Sequence, residues 1–364
     1  MPADPRTPPK GETVEELLAS LKNELLELFD YSDVKGNRTV VRADVAQALD
    51  GAREEWRHQA GADWRTPKVR YGAVSDFLDR LEGPLRALTP GYLRRRMRER
   101  SLESHPLDVD GFGLDPAFAE RARRFIDFLY TRYWRVEVQG MDHVPHRGAS
   151  LLVANHSGTI PFDAMMISAA VRREHPSHRP ARFLVEDVFM AVPFVAPFLS
   201  RIGLVRASRE NAVRLLEAGE AVGVFPEGAK GIGKYYRQRY QLQRFGRGGF
   251  VRLALESGAP LVPVAVVGAE EIMPTIGKLD LSARALGLPY LPVTPLWPLG
   301  GLLGLLPFPT KWYIRFGKPI EIKARGSEAA GDELLVNRIK EETRATIQEM
   351  LYDMLAQRKS VWWG

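Results

Sequence analysis

Between residues 12 and 30 (ETVEELLASLKNELLELFD) apolar side chains recur at helical spacing, and 42–57 and 73–88 repeat the pattern between polar turns. The first third of the chain therefore reads as all-helical. A basic run from Leu93 to Ser101 leads into HPLDVDGFGLDP, a Gly/Asp/Pro-rich stretch with the composition of a linker. This places a boundary within 102–116, with a helical N-terminal region over 1–110 and a second domain over 111–364. In the second domain the period changes. Short apolar runs at Ser150–Ala154, Arg182–Val185, Ala221–Phe225 and Leu261–Val267 alternate with helical patterns around 161–173, 208–219 and 247–257. Such alternation predicts an α/β fold, a largely parallel sheet flanked by helices. A further strand is expected at Trp312–Phe316, and an amphipathic helix over 331–358 precedes a Val361-Trp362-Trp363 tail.

Composition narrows the chemistry. With 45% hydrophobic and 26% charged residues the 364-residue chain has the makeup of a globular protein, not a collagen, a coiled coil or a disordered chain. It contains no cysteine, which excludes disulfides, Cys-ligated zinc or iron–sulfur sites and a Cys nucleophile. Fifty-one basic against 45 acidic residues give +6, an excess suited to anionic partners such as phospholipid, nucleic acid or phosphate-bearing substrates. The N-terminus, MPADPRTPPKGETVEE, lacks the basic-then-apolar order of an export signal, so a cytoplasmic address is expected. Ala285–Thr310 carries no charge and is long enough to span a bilayer, yet Pro289, Pro292, Pro295, Pro298, Pro307 and Pro309 argue against a continuous helix.

Three segments offer reactive side chains. In LLVANHSGTIPFDAMM a buried strand ends at Asn155 and presents His156 at the carboxyl edge, where open α/β sheets place ligands. Asp163 follows at the start of the next helix. The pair reads either as a general base with its orienting carboxylate or as a loop histidine beside a helix cap. In AVGVFPEGAKGIGKYY, Gly228, Gly233 and Lys234 match the core of a phosphate-binding loop, but Tyr235 stands where magnesium needs a hydroxyl of Ser or Thr. In GLVRASRENAVRLLEAGE, Arg206 closes a short strand and Ser208 can cap the following helix; the arginine can fork onto a phosphate or simply solvate a loop. His156, Arg206, Glu227 and Lys230 all follow strands of one expected sheet, which lets them converge. His143 and His146 lack the further ligands of a metal site.

NHSGTIPFD, LVRAS, VFPEGAKG and APLVPVAVVGAEE resemble, in order and spacing, the four sequence blocks of the glycerolipid and lysophospholipid acyltransferase family, over roughly residues 130–325. The chain is most similar to the branch near the mono- and diacylglycerol acyltransferases, because His156 and Asp163 stand seven positions apart where the 1-acylglycerol-3-phosphate acyltransferase branch has five. The resemblance implies His156 as base, Asp163 as its orienting acid, Arg206 and Lys230 near phosphate, and Glu227 with Gly228 shaping the acceptor pocket. It implies acyl transfer from acyl-CoA or acyl carrier protein to a lysophospholipid or glycerolipid hydroxyl, within phospholipid biosynthesis or remodelling. The thioester is a co-substrate, and no cofactor or metal is expected.

Such substrates belong to membranes, which suggests a peripheral protein on the cytoplasmic face. The 285–310 insert then either dips into the interface, with Trp297, Trp362 and Trp363 at headgroup level, or covers the core. Asp187–Gly203 is a second apolar segment, suited to lining an acyl tunnel. Arg94–Arg100 reads equally as a headgroup contact or a solvated helix face. A non-catalytic lipid-binding protein with the same fold is the alternative reading; nucleic-acid binding has no supporting motif.

Overall fold

The computed structural model describes Ser20 and residues 109–364, apart from 158–160, 191–194, 280–290, 295–305 and 323–324. The expected helices within 12–30, 42–57 and 73–88, and the Arg94–Arg100 run, lie outside the described residues save for Ser20. From Val109 onward the supposed linker is tied to the domain. Asp110 pairs with Arg182 at 2.8 Å, and Asp115 pairs with Arg201 at 2.7 Å while capping helix α1 (Pro116–Phe128) through the Phe118 amide at 2.9 Å. The Asp-Pro dipeptide that suggested a break is a helix start, with the cap followed by proline at the first helical position.

Seven strands form the main sheet: β1 (Glu137–Gln139), β2 (Ser150–Ala154), β3 (Ala181–Val185), β4 (Val205–Arg206), β5 (Ala221–Val224), β6 (Leu261–Val267) and β9 (Tyr313–Phe316). Their order is β1-β9-β6-β2-β5-β3-β4, and every neighbouring pair is parallel except β6 with β9. The expected largely parallel α/β sheet is therefore what the chain forms. All five residues of β2 are buried, as a central strand covered on both faces requires.

Alternation along β2 divides the core. Leu152 and Ala154 join one apolar cluster with α1 and α2 (Phe162–Glu174); Leu151 and Val153 join the other with α5 (Arg209–Glu217), α7 (Gly249–Ser257) and α8 (Glu333–Gln357). Two short helices, α3 (Asp187–Met190) and α4 (Val195–Arg201), connect β3 to β4, and α6 (Ala229–Ile232) follows β5. Ser208 caps α5 as expected, accepting from the Asn211 amide at 3.1 Å.

Where it is described, the apolar insert is a short strand at one place and packs on the core at another, the second of the two readings. Leu291–Val293 is a strand, β8, paired antiparallel with β7 (Gly277–Leu279) in a separate ribbon. At its far end, the carbonyls of Pro307, Phe308 and Pro309 accept from Tyr133 OH, Trp134 Nε1 and Arg135 Nη2 at 2.6, 3.0 and 3.0 Å. The chain there is fixed to the core by its backbone. Among the described residues no helix is long and apolar enough to cross a membrane.

Candidate active site

The site lies at the carboxyl edge of β2. Asn155 closes the strand by exchanging two hydrogen bonds with the Val266 backbone of β6: Nδ2 donates to the carbonyl at 3.1 Å and Oδ1 accepts from the amide at 2.7 Å. A side chain imitating a strand partner thus pins the chain one residue before His156. His156 is only 3% exposed, and its Nδ1 lies 2.7 Å from Asp163 Oδ2. Asp163, fully buried in the first turn of α2, also accepts from the Ser157 amide at 2.9 Å, from Ser157 Oγ at 3.3 Å and from the Ala164 amide at 2.8 Å. A carboxylate that already accepts from three other donors favours the tautomer with the proton on Nδ1, which would leave the Nε2 lone pair for chemistry.

The opposite side of the histidine is held by the strand next to β2. Glu227 Oε1 accepts the His156 backbone N–H at 2.9 Å, and Oε2 accepts the Gln243 amide at 2.7 Å. Register explains the meeting of residues 71 positions apart: Val153 pairs with Val224, so both chains leave the sheet side by side. Phe225, expected as the last strand residue, lies just beyond β5 and stacks its ring on the imidazole at 4.1 Å and 13°. Gly231 closes the packing, since a Cβ there would lie 2.8 Å from Glu227 Cβ and 2.9 Å from His156 Cβ. Gly228 sits at φ +57°, with Glu186 Oε1 2.7 Å from where a Cβ would be.

Of the expected residues, His156, Asp163 and Glu227 come together, with Gly228 adjoining. Arg206 lies farther along the same carboxyl edge of the sheet. It ends β4, three strand spacings or about 14 Å across the sheet from β2. Its guanidinium there grips Asp187 through two bonds of 2.6 and 2.8 Å, which holds the Asp187 carboxyl below its ordinary range. Lys230 is exposed on α6. The phosphate-loop match is not a phosphate cradle either. Lys234 turns inward, 2.8 Å from Glu270 Oε1 and 3.3 Å from Glu227 Oε2. Burial pulls its ammonium down, but the attraction of Glu270 and Glu227 outweighs this and raises its pKa above the usual lysine value. Among the described residues no group of three or more His, Asp or Glu is placed to hold a metal.

Sequence reasoning passed over Asn155, Phe225, Gly231 and Glu270. The only signal for Glu270 was its place in the fourth block, APLVPVAVVGAEE.

A family model described as "Acyltransferase" matches residues 135–267, which hold β2, β5, β6 and every site residue through Lys234. An uncharacterized protein of Mycobacterium tuberculosis is 44% identical over 326 residues, 89% of this chain and 87% of that one. A chicken protein named a DGAT1/2-independent enzyme synthesizing storage lipids is 22% identical over 193 residues, 52% of this chain and 54% of its own. The crystal structure of a 1-acyl-sn-glycerophosphate acyltransferase from Thermotoga maritima aligns at a TM-score of 0.43 and 16% identity, covering 67% of this chain and 83% of that one. The family model spans the buried His–Asp pair, and the chain belongs to the glycerolipid acyltransferase family and is an acyltransferase.

Proposed function

We propose that the protein is a peripheral membrane O-acyltransferase that carries a fatty acyl group directly from acyl-CoA or acyl carrier protein to the hydroxyl of a lysophospholipid or glycerolipid. The observation that carries this reading is the buried 2.7 Å contact between His156 and Asp163 at the carboxyl edge of the sheet. His156 Nε2 takes the acceptor proton as the hydroxyl oxygen bonds to the thioester carbon; the C–S bond breaks, and the departing thiolate recovers the proton from the imidazolium. Asp163 keeps the reactive tautomer and stabilises the imidazolium between the two steps. Ser157 Oγ donates to Asp163 at 3.3 Å and the chain has no cysteine, so an acyl-enzyme is disfavoured. No cofactor is required by this scheme.

At the buried centre, charge supports an acceptor without phosphate, because Lys234 is held there by two carboxylates. The name of the chicken relative, with its storage lipids, agrees with a neutral glyceride.

Membrane contact is supported by topology. β9 runs opposite to β6, with Tyr313 opposite Val267, so the start of β9 shares the sheet edge at which β2 delivers His156. The C-terminal tail is fastened at that edge: the Lys311 amide donates to the Val361 carbonyl at 2.8 Å, and Arg135 Nη2 donates to the Trp362 carbonyl. Trp362 and Trp363 are left 40% and 53% exposed beside Phe308, an arrangement suited to a bilayer interface.

The test is thiol release from acyl-CoA by purified protein with detergent-solubilised acceptors, wild type beside His156→Ala. Acceptor-dependent release, highest with neutral glycerides and reduced about 100-fold or more in the variant, is expected. Release that survives in folded His156→Ala removes the histidine from the mechanism.

A further inference from the structure

The buried ammonium of Lys234 has no place in the proton transfers above. Its surroundings give it one beside them. Glu227 follows β5, Glu270 follows β6, and β2 lies between those two strands, so the Lys234 bridge passes over the end of the strand that carries His156. Each carboxylate continues outward from the lysine. Glu227 leads to the His156 amide at 2.9 Å and the Gln243 amide at 2.7 Å. Glu270 leads through Oε2 to the Tyr240 amide at 3.0 Å, and Tyr240 OH accepts the Gly268 amide at 2.9 Å.

We propose that Lys234 is a positioning residue for acyl transfer: its ammonium clamps Glu227 to Glu270 and through Glu227 fixes the backbone of His156. The proposal rests on His156 as the base and adds the element that holds it. Two buried carboxylates repel each other and oppose their own burial; one ammonium between them satisfies both. Burial and the neighbouring Glu227 push Glu270 upward, with Lys234 pulling it back. Without the lysine, one carboxylate takes a proton or swings away, and either event loosens the hydrogen bond at His156. The imidazole then loses its fixed angle to Asp163, although no atom touching substrate has changed.

A lysine that bound phosphate would behave differently on removal, raising KM for the acyl-CoA or for a phosphorylated acceptor. A clamp lowers kcat and leaves KM alone.

The experiment compares wild type with Lys234→Met/Glu270→Gln, which removes the clamp without stranding a second buried carboxylate, and with Lys234→Gln, whose amide still donates to one carboxylate. Amide hydrogen exchange of the peptide holding His156 is measured together with acyl-CoA turnover. Expected are faster exchange at His156 with the rest of the sheet still protected in both variants, and kcat lower by about 100-fold at unchanged KM in the double variant. Unchanged exchange at His156 in whichever variant folds overturns the proposal, as does a rise in KM at constant kcat. The exchange measurement needs no turnover, so a wild-type protein inactive toward acyl-CoA would count against the proposed reaction and leave the clamp to be decided separately.

Discussion

Replacing Asp163 with Asn keeps shape and burial and removes one charge. In the native site Oδ2 accepts from His156 Nδ1, the Ser157 amide and Ser157 Oγ, and Oδ1 accepts from the Ala164 amide. An Asn side chain has a single acceptor oxygen. If that oxygen faces His156 and Ser157, its NH2 meets the Ala164 N–H; if it is turned round, the NH2 meets the three donors of His156 and Ser157 and forces His156 into the wrong tautomer. A buried donor left without a partner costs about 1–3 kcal/mol of stability. The catalytic loss is larger. An imidazolium and a carboxylate with charge centres roughly 4 Å apart attract by about 4 kcal/mol at an effective dielectric near 20. Both groups are buried, at 3% and 0% exposure, so salt does little to weaken this. At about 1.4 kcal/mol per decade, kcat should fall by roughly three orders of magnitude, with KM for acyl-CoA nearly unchanged. The assay is release of free thiol, followed with a disulfide reagent that a chain without cysteine does not consume. Circular dichroism and thermal melting establish that the variant is folded. A folded Asp163→Asn enzyme within tenfold of the wild-type kcat would refute the assignment of Asp163.

Two further substitutions test the packing of the site and its approach to lipid. Gly231→Ala introduces a Cβ at 2.8 Å from Glu227 Cβ and 2.9 Å from His156 Cβ, atoms that cannot rotate away; a cost of about 1–3 kcal/mol in denaturant unfolding and a clear loss of kcat are expected, and wild-type values for both would show that the loop yields freely. Trp362→Ala combined with Trp363→Ala should leave the tail in place, because its anchors are the Val361 and Trp362 carbonyls, yet lower binding to uncharged phosphatidylcholine vesicles about tenfold or more, little affected by salt. Turnover of a short-chain soluble acceptor should persist in that variant; vesicle flotation equal to wild type would show that the tryptophans do not dock the protein.

The strand and helix alternation from residue 150 onward was legible because each central strand is a continuous apolar run and each covering helix carries one apolar face, patterns that local spacing imposes. His156 and Asp163 were legible for a similar reason: a strand end and a helix start only seven positions apart bring them within hydrogen-bond reach. For Arg206 and Lys230 local spacing says less. That both follow strands is a local fact, whereas the order β2-β5-β3-β4 that sets Arg206 about 14 Å away belongs to the whole sheet. The two-stranded ribbon was missed because Pro292 lies inside β8, and proline in an apolar run argues against a strand unless the strand is short and at an edge.

Lys234 makes the same point about charge. Its neighbours in sequence, Gly233 and Tyr235, advertise an exposed glycine-rich loop, and the motif it completes belongs elsewhere to phosphate binding. What sends it inward is a carboxylate 36 positions ahead that arrives only once β6 has paired with β2. The same pairing holds Asn155 against Val266 and so sets where His156 leaves the sheet. Assembly of the β5-β2-β6 core therefore does two things at once: it aims the imidazole, and it delivers both carboxylates that make burial of the lysine tolerable. Neither Glu227 nor Glu270 needs to touch a substrate for its loss to stop the reaction. A charge-reversal or neutralising scan that found both residues essential would, on its own, describe the frame that holds the base.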